Sequence, residues 1–340
     1  MNYSKLEDTA CALVAAGKGI LAADESFPTI QKRFAAINIE STEENRRAYR
    51  EMLFTARGNE EFISGVILFD ETIRQKTSDG TLFTDALTRK GIIPGIKVDA
   101  GTLSMPGHPG EKITSGLDGL RERLNKYREQ GARFAKWRAV ITIGPRLPSR
   151  ACIQANAHQL ALYAALTQES ELVPIVEPEV LMDGDHDIAT CEEATNATLT
   201  AVFSALRDYG VSFEGMLLKP NMVVAGKQSP KQAAVEEAAE TTVRTLRRTV
   251  PAAVHGIVFL SGGQSPELAT LHLNTMNLRG PHPWELSFSY GRALQDRLLK
   301  AWKGSTANVA EAQREFLHRA KCCSAARYGT YSEKMEKMAA

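Results

Sequence analysis

Short, continuously apolar runs alternate along the chain with longer amphipathic segments. Runs of this kind are typical of strands that are buried on both faces, and the segments between them have helical composition. The repeated order of strand, helix and strand predicts a parallel sheet with helical crossovers. Eight repeats favour closure into a (β/α)8 barrel of the α/β class. The eight runs occupy residues 19–24, 62–69, 92–98, 134–143, 172–180, 216–223, 256–260 and 286–289.

Local signals mark the starts of several helices. Ser41 and Glu44 have the spacing of a capping box, and Ser229 and Ser265 each precede a proline suited to a first helical turn. Longer helices are predicted over residues 154–169, 187–209 and 230–249. No linker-like stretch divides the chain, so we predict one barrel catalytic domain over residues 1–327. Residues 328–340 lack an apolar pattern and are predicted to form a mobile tail.

Composition narrows the functional classes. The 41 basic and 40 acidic side chains give a net charge of +1, so no global attraction to nucleic acid or to a membrane surface is expected. The first ten residues carry charges and no apolar stretch, which predicts no signal peptide. The five cysteines are odd in number and show no CxxC spacing. Reduced thiols in a cytoplasmic protein are therefore expected.

Charged side chains interrupt the predicted strands or follow them directly. Because a parallel barrel gathers the carboxyl ends of its strands at one mouth, we expect these side chains to converge. Residues two apart share a strand face, which pairs Lys136 with Arg138 and Glu177 with Glu179. The structural alternative is that these side chains form buried ion pairs that only hold the barrel together. Such pairs contribute little net stability, so a catalytic role for the charged side chains is favoured. The polar positions are Asp24, Lys97, Lys136, Arg138, Glu177, Glu179, Lys219, Ser261 and Arg292.

Three of these residues, Lys97, Lys136 and Lys219, are lysines expected at one mouth. Burial and mutual repulsion favour a neutral amine, which can attack a carbonyl and form a Schiff base. The protonated imine then withdraws electrons and assists cleavage of a carbon–carbon bond. Such a cycle needs a shared acid/base, and Glu177 beside Glu179 is a suitable carboxyl.

Two regions have features of phosphate sites. The segment from Ser261 to Ser265 contains two glycines and lies between the seventh strand and a helix start. Backbone amides and the field of the helix favour an anion at such a place. Arg292 follows the eighth strand, and the loops after strands seven and eight commonly bind phosphate in such barrels. Arg33 and Lys97 form a second basic set. No histidine ends a strand core and no GxGxxG opens a strand–helix unit, so neither a metal nor a dinucleotide cofactor is expected.

Seven motifs, in order, carry a family resemblance. They are ILAADES (20–26), GIKVD (95–99), FAKWR (134–138), VEPE (176–179), LLKPNMV (217–223), FLSGGQS (259–265) and SYGRALQ (289–295). Over residues 3–327 the chain resembles class I fructose-bisphosphate aldolase. The resemblance implies reversible cleavage of fructose 1,6-bisphosphate to dihydroxyacetone phosphate and glyceraldehyde 3-phosphate in glycolysis and gluconeogenesis. It also implies a cytoplasmic homotetramer without a cofactor or a metal.

The resemblance also implies a role for each matching residue. Lys219 would form the Schiff base, and Glu177 would be the acid/base, tuned by Glu179. Asp24 would take the proton of the substrate C4 hydroxyl, with Lys136 beside it. The 1-phosphate would be held by Ser261, Gly262, Gly263, Ser289 and Arg292, and the 6-phosphate by Ser26, Thr29, Arg33 and Lys97, with Arg138 close by.

The chain departs from the family in two places. Phe27, Pro28 and Thr29 stand where the family has small residues and a second serine. Thr29 must then supply that hydroxyl, and the preference for fructose 1,6-bisphosphate over fructose 1-phosphate stays open. The chain also lacks the tyrosine that ends many family members and assists proton exchange. Tyr331 is predicted to substitute for it, or the exchange is slower.

Two other functional hypotheses remain open at this stage. Another Schiff-base enzyme on a barrel, such as a transaldolase or another sugar-phosphate aldolase, would use the same lysine. A scaffold protein built on this fold is the alternative from another class, and secondary binding to filaments stays open.

Overall fold

In the computed structural model, which describes residues 3–337, eight parallel strands close into a barrel. The first barrel strand pairs with the last, with Ile20 opposite Ser289, so no barrel edge is left open. This confirms the predicted (β/α)8 fold. The barrel strands are β1 (Gly19–Ala22), β2 (Ile63–Leu68), β3 (Ile93–Lys97), β6 (Phe134–Ile141), β7 (Val173–Val180), β8 (Leu217–Leu218), β9 (Gly256–Phe259) and β10 (Glu285–Tyr290). A separate antiparallel hairpin consists of β4 (Thr102–Ser104) and β5 (Lys112–Thr114).

Helices surround the barrel and close its amino-terminal end. They are α1 (Tyr3–Leu13), α2 (Phe27–Ala35), α3 (Glu43–Thr55), α4 (Phe83–Arg89), α5 (Leu120–Glu129), α6 (Arg150–Glu169), α7 (Ile188–Asp208), α8 (Val235–Thr249), α9 (Pro266–Leu278), α10 (Arg292–Trp302) and α11 (Val309–Arg327). Short 3-10 turns lie at Asn59–Glu61, Thr72–Arg74, Thr306–Asn308 and Glu333–Lys337. No helix within residues 3–337 has the length and apolarity needed to cross a bilayer.

An apolar plug fills the amino-terminal half of the barrel. Leu13 of α1 packs there with inward side chains such as Phe134 and Val258. The Phe134 ring leaves no space for a side chain at Gly95 on the neighbouring strand, which explains the glycine. Because the plug occupies this half, polar side chains find space only toward the carboxyl ends of the strands.

Two predicted helix starts are wrong and one is confirmed. Thr42, not Ser41, caps α3, because its Oγ1 accepts a hydrogen bond from the Asn45 amide at 3.1 Å. Residues 230–234 form an irregular loop, so α8 begins at Val235 rather than after Ser229. At α9 the predicted cap is present, since Ser265 Oγ accepts from the Leu268 amide at 3.1 Å.

The C-terminal segment packs against α9 and α11. Tyr331 is buried, and its hydroxyl donates to Glu336 at 2.9 Å. Glu336 also pairs with the fully buried Arg319 of α11. Residues 338–340 lie outside the described part of the chain, and the mobility of the tail stays a prediction. All five cysteines are free thiols, and only Cys11 among them is exposed.

Candidate active site

One cavity of ≈ 1190 Å³ opens at the carboxyl ends of the barrel strands. This volume is slightly above the usual range of about 300–1,000 Å³ for small-molecule sites. It brings together residues from almost the whole chain, as the clustering of strand ends predicts. Every residue expected in the site lines the cavity except Gly263, which follows the lining Gly262; the lining residues are Asp24, Ser26, Thr29, Arg33, Lys97, Lys136, Arg138, Glu177, Glu179, Lys219, Ser261, Gly262, Ser289 and Arg292.

Four charged side chains form a continuous chain at the base of the cavity. Lys219 Nζ lies 3.2 Å from Glu177 Oε1, and Lys136 Nζ lies 3.2 Å from Glu177 Oε2. Lys136 Nζ also lies 2.8 Å from Asp24 Oδ2. Lys136, Glu177 and Lys219 are each less than 5% exposed, so these ion pairs are shielded from water. The arrangement lets protons pass between neighbouring groups without bulk solvent.

Neighbouring charges determine the protonation states of two of these four side chains, Asp24 and Lys136. Burial alone would raise the pKa of Asp24, but the ammonium groups of Lys136 and Lys219 outweigh it and hold that pKa well below its usual range. Burial alone would lower the pKa of Lys136, but Asp24 and Glu177 outweigh it and raise that pKa. The expected mutual repulsion of three lysines is therefore wrong for Lys136, because carboxylates alternate with the lysines.

Asp99 is a member of the site that the sequence reasoning missed. Its Oδ1 lies 2.6 Å from Lys97 Nζ, and its Oδ2 lies 4.0 Å from Lys136 Nζ. Its position two residues after Lys97, just past the end of β3, was the signal that could have found it. Glu179 forms a similar pair with Arg138 Nε at 2.5 Å. Lys97 of β3 and Lys136 and Arg138 of β6 thus each have a carboxylate partner.

The start of α2 forms one polar end of the cavity. Ser26 Oγ and Thr29 Oγ1 lie 3.2 Å apart, so both expected hydroxyls are together. Arg33, one turn further along α2, pairs with Glu25 and donates to Gln295 at 3.1 Å. Glu25, which directly follows Asp24, also lines the cavity and was not among the expected site residues.

The loops after β9 and β10 form the other polar end. Ser261 and Gly262 leave β9, and Gly262 has φ +60°, a conformation that favours glycine. Arg292 begins α10, so the positive end of that helix faces the same place. Ser289 Oγ is buried, and no residue of the described part of the chain forms a hydrogen bond with it. A buried unpaired hydroxyl at this place is suited to a polar ligand.

Tyr331 does not line this cavity. Its hydroxyl contacts Glu336, and its amide donates to Asn274 of α9, on the outside of the barrel. In this conformation the residue is not placed to exchange a proton at the barrel mouth.

Comparisons with known proteins show which family the chain resembles over nearly its whole length. A model of the family "Fructose-bisphosphate aldolase class-I" matches residues 5–340. A "probable fructose-bisphosphate aldolase class 1" from Xanthomonas campestris is 59% identical over 322 residues, which covers 94% of this chain and 96% of that protein. The cytosolic fructose-bisphosphate aldolase 4 of Arabidopsis thaliana is 57% identical, with coverage of 93% and 80%. The solved Plasmodium falciparum aldolase, in complex with TRAP and a small-molecule inhibitor, is 52% identical, has a TM-score of 0.96, and is matched over 97% of this chain and 96% of its own.

Proposed function

Because the chain belongs to the class I fructose-bisphosphate aldolase family, we propose that Lys219 is the amine that forms its Schiff base. The protein is a lyase that cleaves fructose 1,6-bisphosphate to dihydroxyacetone phosphate and glyceraldehyde 3-phosphate in glycolysis. Its substrate is accordingly a sugar phosphate. The observation that carries the residue assignment is the contact of Lys219 Nζ with Glu177 at 3.2 Å at the base of the cavity.

The first half of the reaction follows from this contact. Lys219 Nζ attacks C2 of the ketose and forms a carbinolamine. Glu177 then donates a proton to the departing hydroxyl, which leaves as water and produces the protonated imine. The proton that Glu177 donates is the one it takes from the Lys219 ammonium before the attack, which frees the neutral amine, because both groups lie within hydrogen-bond reach. Glu179 tunes this step by sharing the strand face with Glu177 and binding Arg138.

The second half of the reaction uses Asp24. Its low pKa keeps it in the carboxylate form that can accept the proton of the C4 hydroxyl. As this proton leaves, the C3–C4 bond breaks, and its electron pair passes into the protonated imine to give an enamine. Lys136, in contact with Asp24 at 2.8 Å and with Glu177 at 3.2 Å, orients both carboxylates. Protonation of the enamine and hydrolysis of the imine then release dihydroxyacetone phosphate.

We assign the two polar ends of the cavity to the two phosphates. The 1-phosphate lies at the loops after β9 and β10, where two glycines and two helix starts favour an anion. The 6-phosphate lies at the start of α2 and beside Lys97. The 1-phosphate residues are Ser261, Gly262, Gly263, Ser289 and Arg292, and the 6-phosphate residues are Ser26, Thr29, Arg33 and Lys97, with Arg138 close by.

We extend the proposal to the cellular setting. The relative in Arabidopsis is named cytosolic, which supports a cytoplasmic location for this chain. Reversibility of the cleavage supports a second role in gluconeogenesis. A homotetramer is proposed from the family resemblance. The Plasmodium relative is solved with TRAP, and whether this chain binds a protein such as a filament is a separate hypothesis.

Replacement of Lys219 by arginine tests the assignment. Arginine keeps the positive charge but cannot form the imine, so the rate of fructose 1,6-bisphosphate cleavage should fall by at least about 10⁴-fold. The matched control is Lys76→Arg, at an exposed position outside the cavity. Substantial cleavage by correctly folded Lys219→Arg would refute the proposal. Activity that is lost with EDTA and retained in Lys219→Arg would indicate a metal-dependent route instead.

A further inference from the structure

A lysine that none of the sequence motifs includes lies beside the glycine turn after β9. Lys227 Nζ is 2.8 Å from the point where a Cβ on Gly263 would stand. Arg292 Nη2 is 3.2 Å from the same point. Two cationic groups therefore approach one glycine from different elements. Gly263 has φ +88° and follows Gly262, also at positive φ, and such turns form concave sites for anions.

The backbone holds Lys227 firmly in this place. Its amide donates to the Met182 carbonyl at 2.8 Å, and the amide of Gly226 donates to His186 at 2.8 Å. The amide of Gln228 donates to the Gly184 carbonyl at 2.9 Å. These bonds join the loop after β8 to the loop after β7, both at the carboxyl ends of the barrel strands. The side chain thus reaches the turn from an anchored position.

The partner of Lys227 in this structure is a weak competitor for a phosphate. Lys227 Nζ lies 2.9 Å from Asp183 Oδ1, the only carboxylate within ion-pair distance in the described part of the chain. The Asp183 side chain is 63% exposed, and an exposed pair of this kind contributes little stability. A phosphomonoester dianion at the turn would offer a stronger, charge-assisted hydrogen bond.

We propose that Lys227 is a further phosphate-binding residue that contacts the 1-phosphate end of the substrate and exchanges Asp183 for a phosphate oxygen. The inference rests on the assignment of the 1-phosphate to the loops after β9 and β10. It adds a cation from the loop after β8 to the set formed by Ser261, Gly262 and Arg292. The structural alternative is that Lys227 only ties its loop to Asp183.

Fructose 1-phosphate is the probe, because it carries a phosphate at this end alone. Lys227→Met should raise its KM about tenfold, the usual cost of losing one charge-assisted hydrogen bond, and change kcat by less than about twofold. KM for fructose 1,6-bisphosphate should rise in parallel, and the effect should shrink at high salt. Asp183→Asn, which frees Lys227, should leave KM unchanged or lower it. Lys231→Met, exposed on the same loop, is the matched control and should behave as wild type.

The outcomes separate two failures. If Lys227→Met leaves KM unchanged while Arg292→Met raises it, the role of Lys227 is refuted and the 1-phosphate assignment stands. Equal increases in KM for Lys227→Met and Asp183→Asn would show that Lys227 only holds its loop to Asp183, and would also refute the inference. If neither Lys227→Met nor Arg292→Met changes KM for fructose 1-phosphate, the assignment of the 1-phosphate to this end is itself wrong.

Discussion

Glu177 Oε1 lies 3.2 Å from Lys219 Nζ, at a place where both residues are almost completely buried. The contact makes Glu177 the nearest carboxyl for every proton transfer at that nitrogen. Glu177→Gln keeps the shape but cannot donate or accept the proton. We therefore expect kcat for fructose 1,6-bisphosphate cleavage to fall by about 10²–10⁴-fold, with a much smaller change in KM.

Steady-state kinetics with a matched variant checks this prediction. Glu237→Gln replaces an exposed glutamate on α8 and should retain wild-type kcat. A Glu177→Gln enzyme with kcat within about threefold of wild type would show that another group transfers the proton.

Lys136 is the shared cation of the site, and its removal should destabilise the fold. Lys136→Met leaves Asp24 and Glu177 buried without their common partner, and breaking a buried pair in this way costs about 3–5 kcal/mol. Urea unfolding at pH 7 and fixed protein concentration measures the loss. In wild type, Lys136 lowers the pKa of Asp24, so its contribution is present above the unfolded pKa of about 3.9 and is lost as pH falls further. The difference between the variant and wild type should therefore shrink in acid.

A double variant identifies the cause of that loss. Asp24→Asn added to Lys136→Met removes the uncompensated carboxylate, so part of the stability at pH 7 should return. If the double variant is as unstable as the sum of the single variants, the ion pair is not the source of the effect.

His272 of α9 should make stability depend on pH. It is 4% exposed, burial lowers its pKa from 6.5 to about 4, and its Nδ1 lies 2.6 Å from Gln264 Oε1 in the loop after β9. A histidine with a lowered pKa supports folding fully above about pH 6.5, and this support is lost as pH falls toward 4, because only the unfolded chain takes up the proton. From pH 6.5 to 4.5 the unfolding free energy should fall by about 2 kcal/mol through this group.

His272→Leu should lose this part of the pH slope, whereas His158→Asn, at an exposed position, should keep it. Urea unfolding at the two pH values gives both slopes. A His272→Leu slope equal to that of wild type would mean that His272 does not titrate in this way.

Phe27, one of the departures from the family pattern, holds the start of α2 in place. Its ring packs edge-on against Phe69 at 5.2 Å, and Arg46 lies over it at 4.8 Å. Phe27→Ala should loosen the loop that carries Ser26 and Thr29. We expect KM for fructose 1,6-bisphosphate to rise about fivefold while KM for fructose 1-phosphate hardly changes.

Phe27→Tyr keeps the ring and should retain the wild-type ratio of kcat/KM for the two substrates. An equal change in kcat/KM for both substrates in Phe27→Ala would contradict a specific role of the Phe27 ring at the proposed 6-phosphate end.

The pattern of apolar and charged positions predicts the barrel and the charged residues that meet in the cavity, whereas Ser26, Thr29 and Ser289 were expected only from the family resemblance. Each strand is a mainly apolar run, and its carboxyl end has a fixed place in a closed parallel barrel. The convergence of Asp24, Lys136, Glu177 and Lys219 therefore follows from the chain order of the strands. Parity along a strand also predicts which charges share a face, as with Glu177 and Glu179.

The charge pairs within the cavity could not be predicted from the sequence. Three lysines at one mouth suggested that their ammonium groups repel one another, whereas Asp99 and Glu177 lie between them. The distances between these charges depend on the register of neighbouring strands. The cap of α3 differs by one residue because Ser41 and Thr42 offer the same hydroxyl. The position of Lys227 could not be predicted, because it depends on hydrogen bonds between two loops and such bonds follow no sequence period.

The central claim is that Lys219 forms an imine with the ketose substrate. Incubation with fructose 1,6-bisphosphate or dihydroxyacetone phosphate and sodium borohydride, followed by peptide mass mapping, tests it most directly. We predict one stable secondary-amine adduct per chain, located at Lys219, with loss of activity in proportion to labelling. An adduct at Lys97, Lys136 or another lysine, or none at all while cleavage proceeds, would contradict the account.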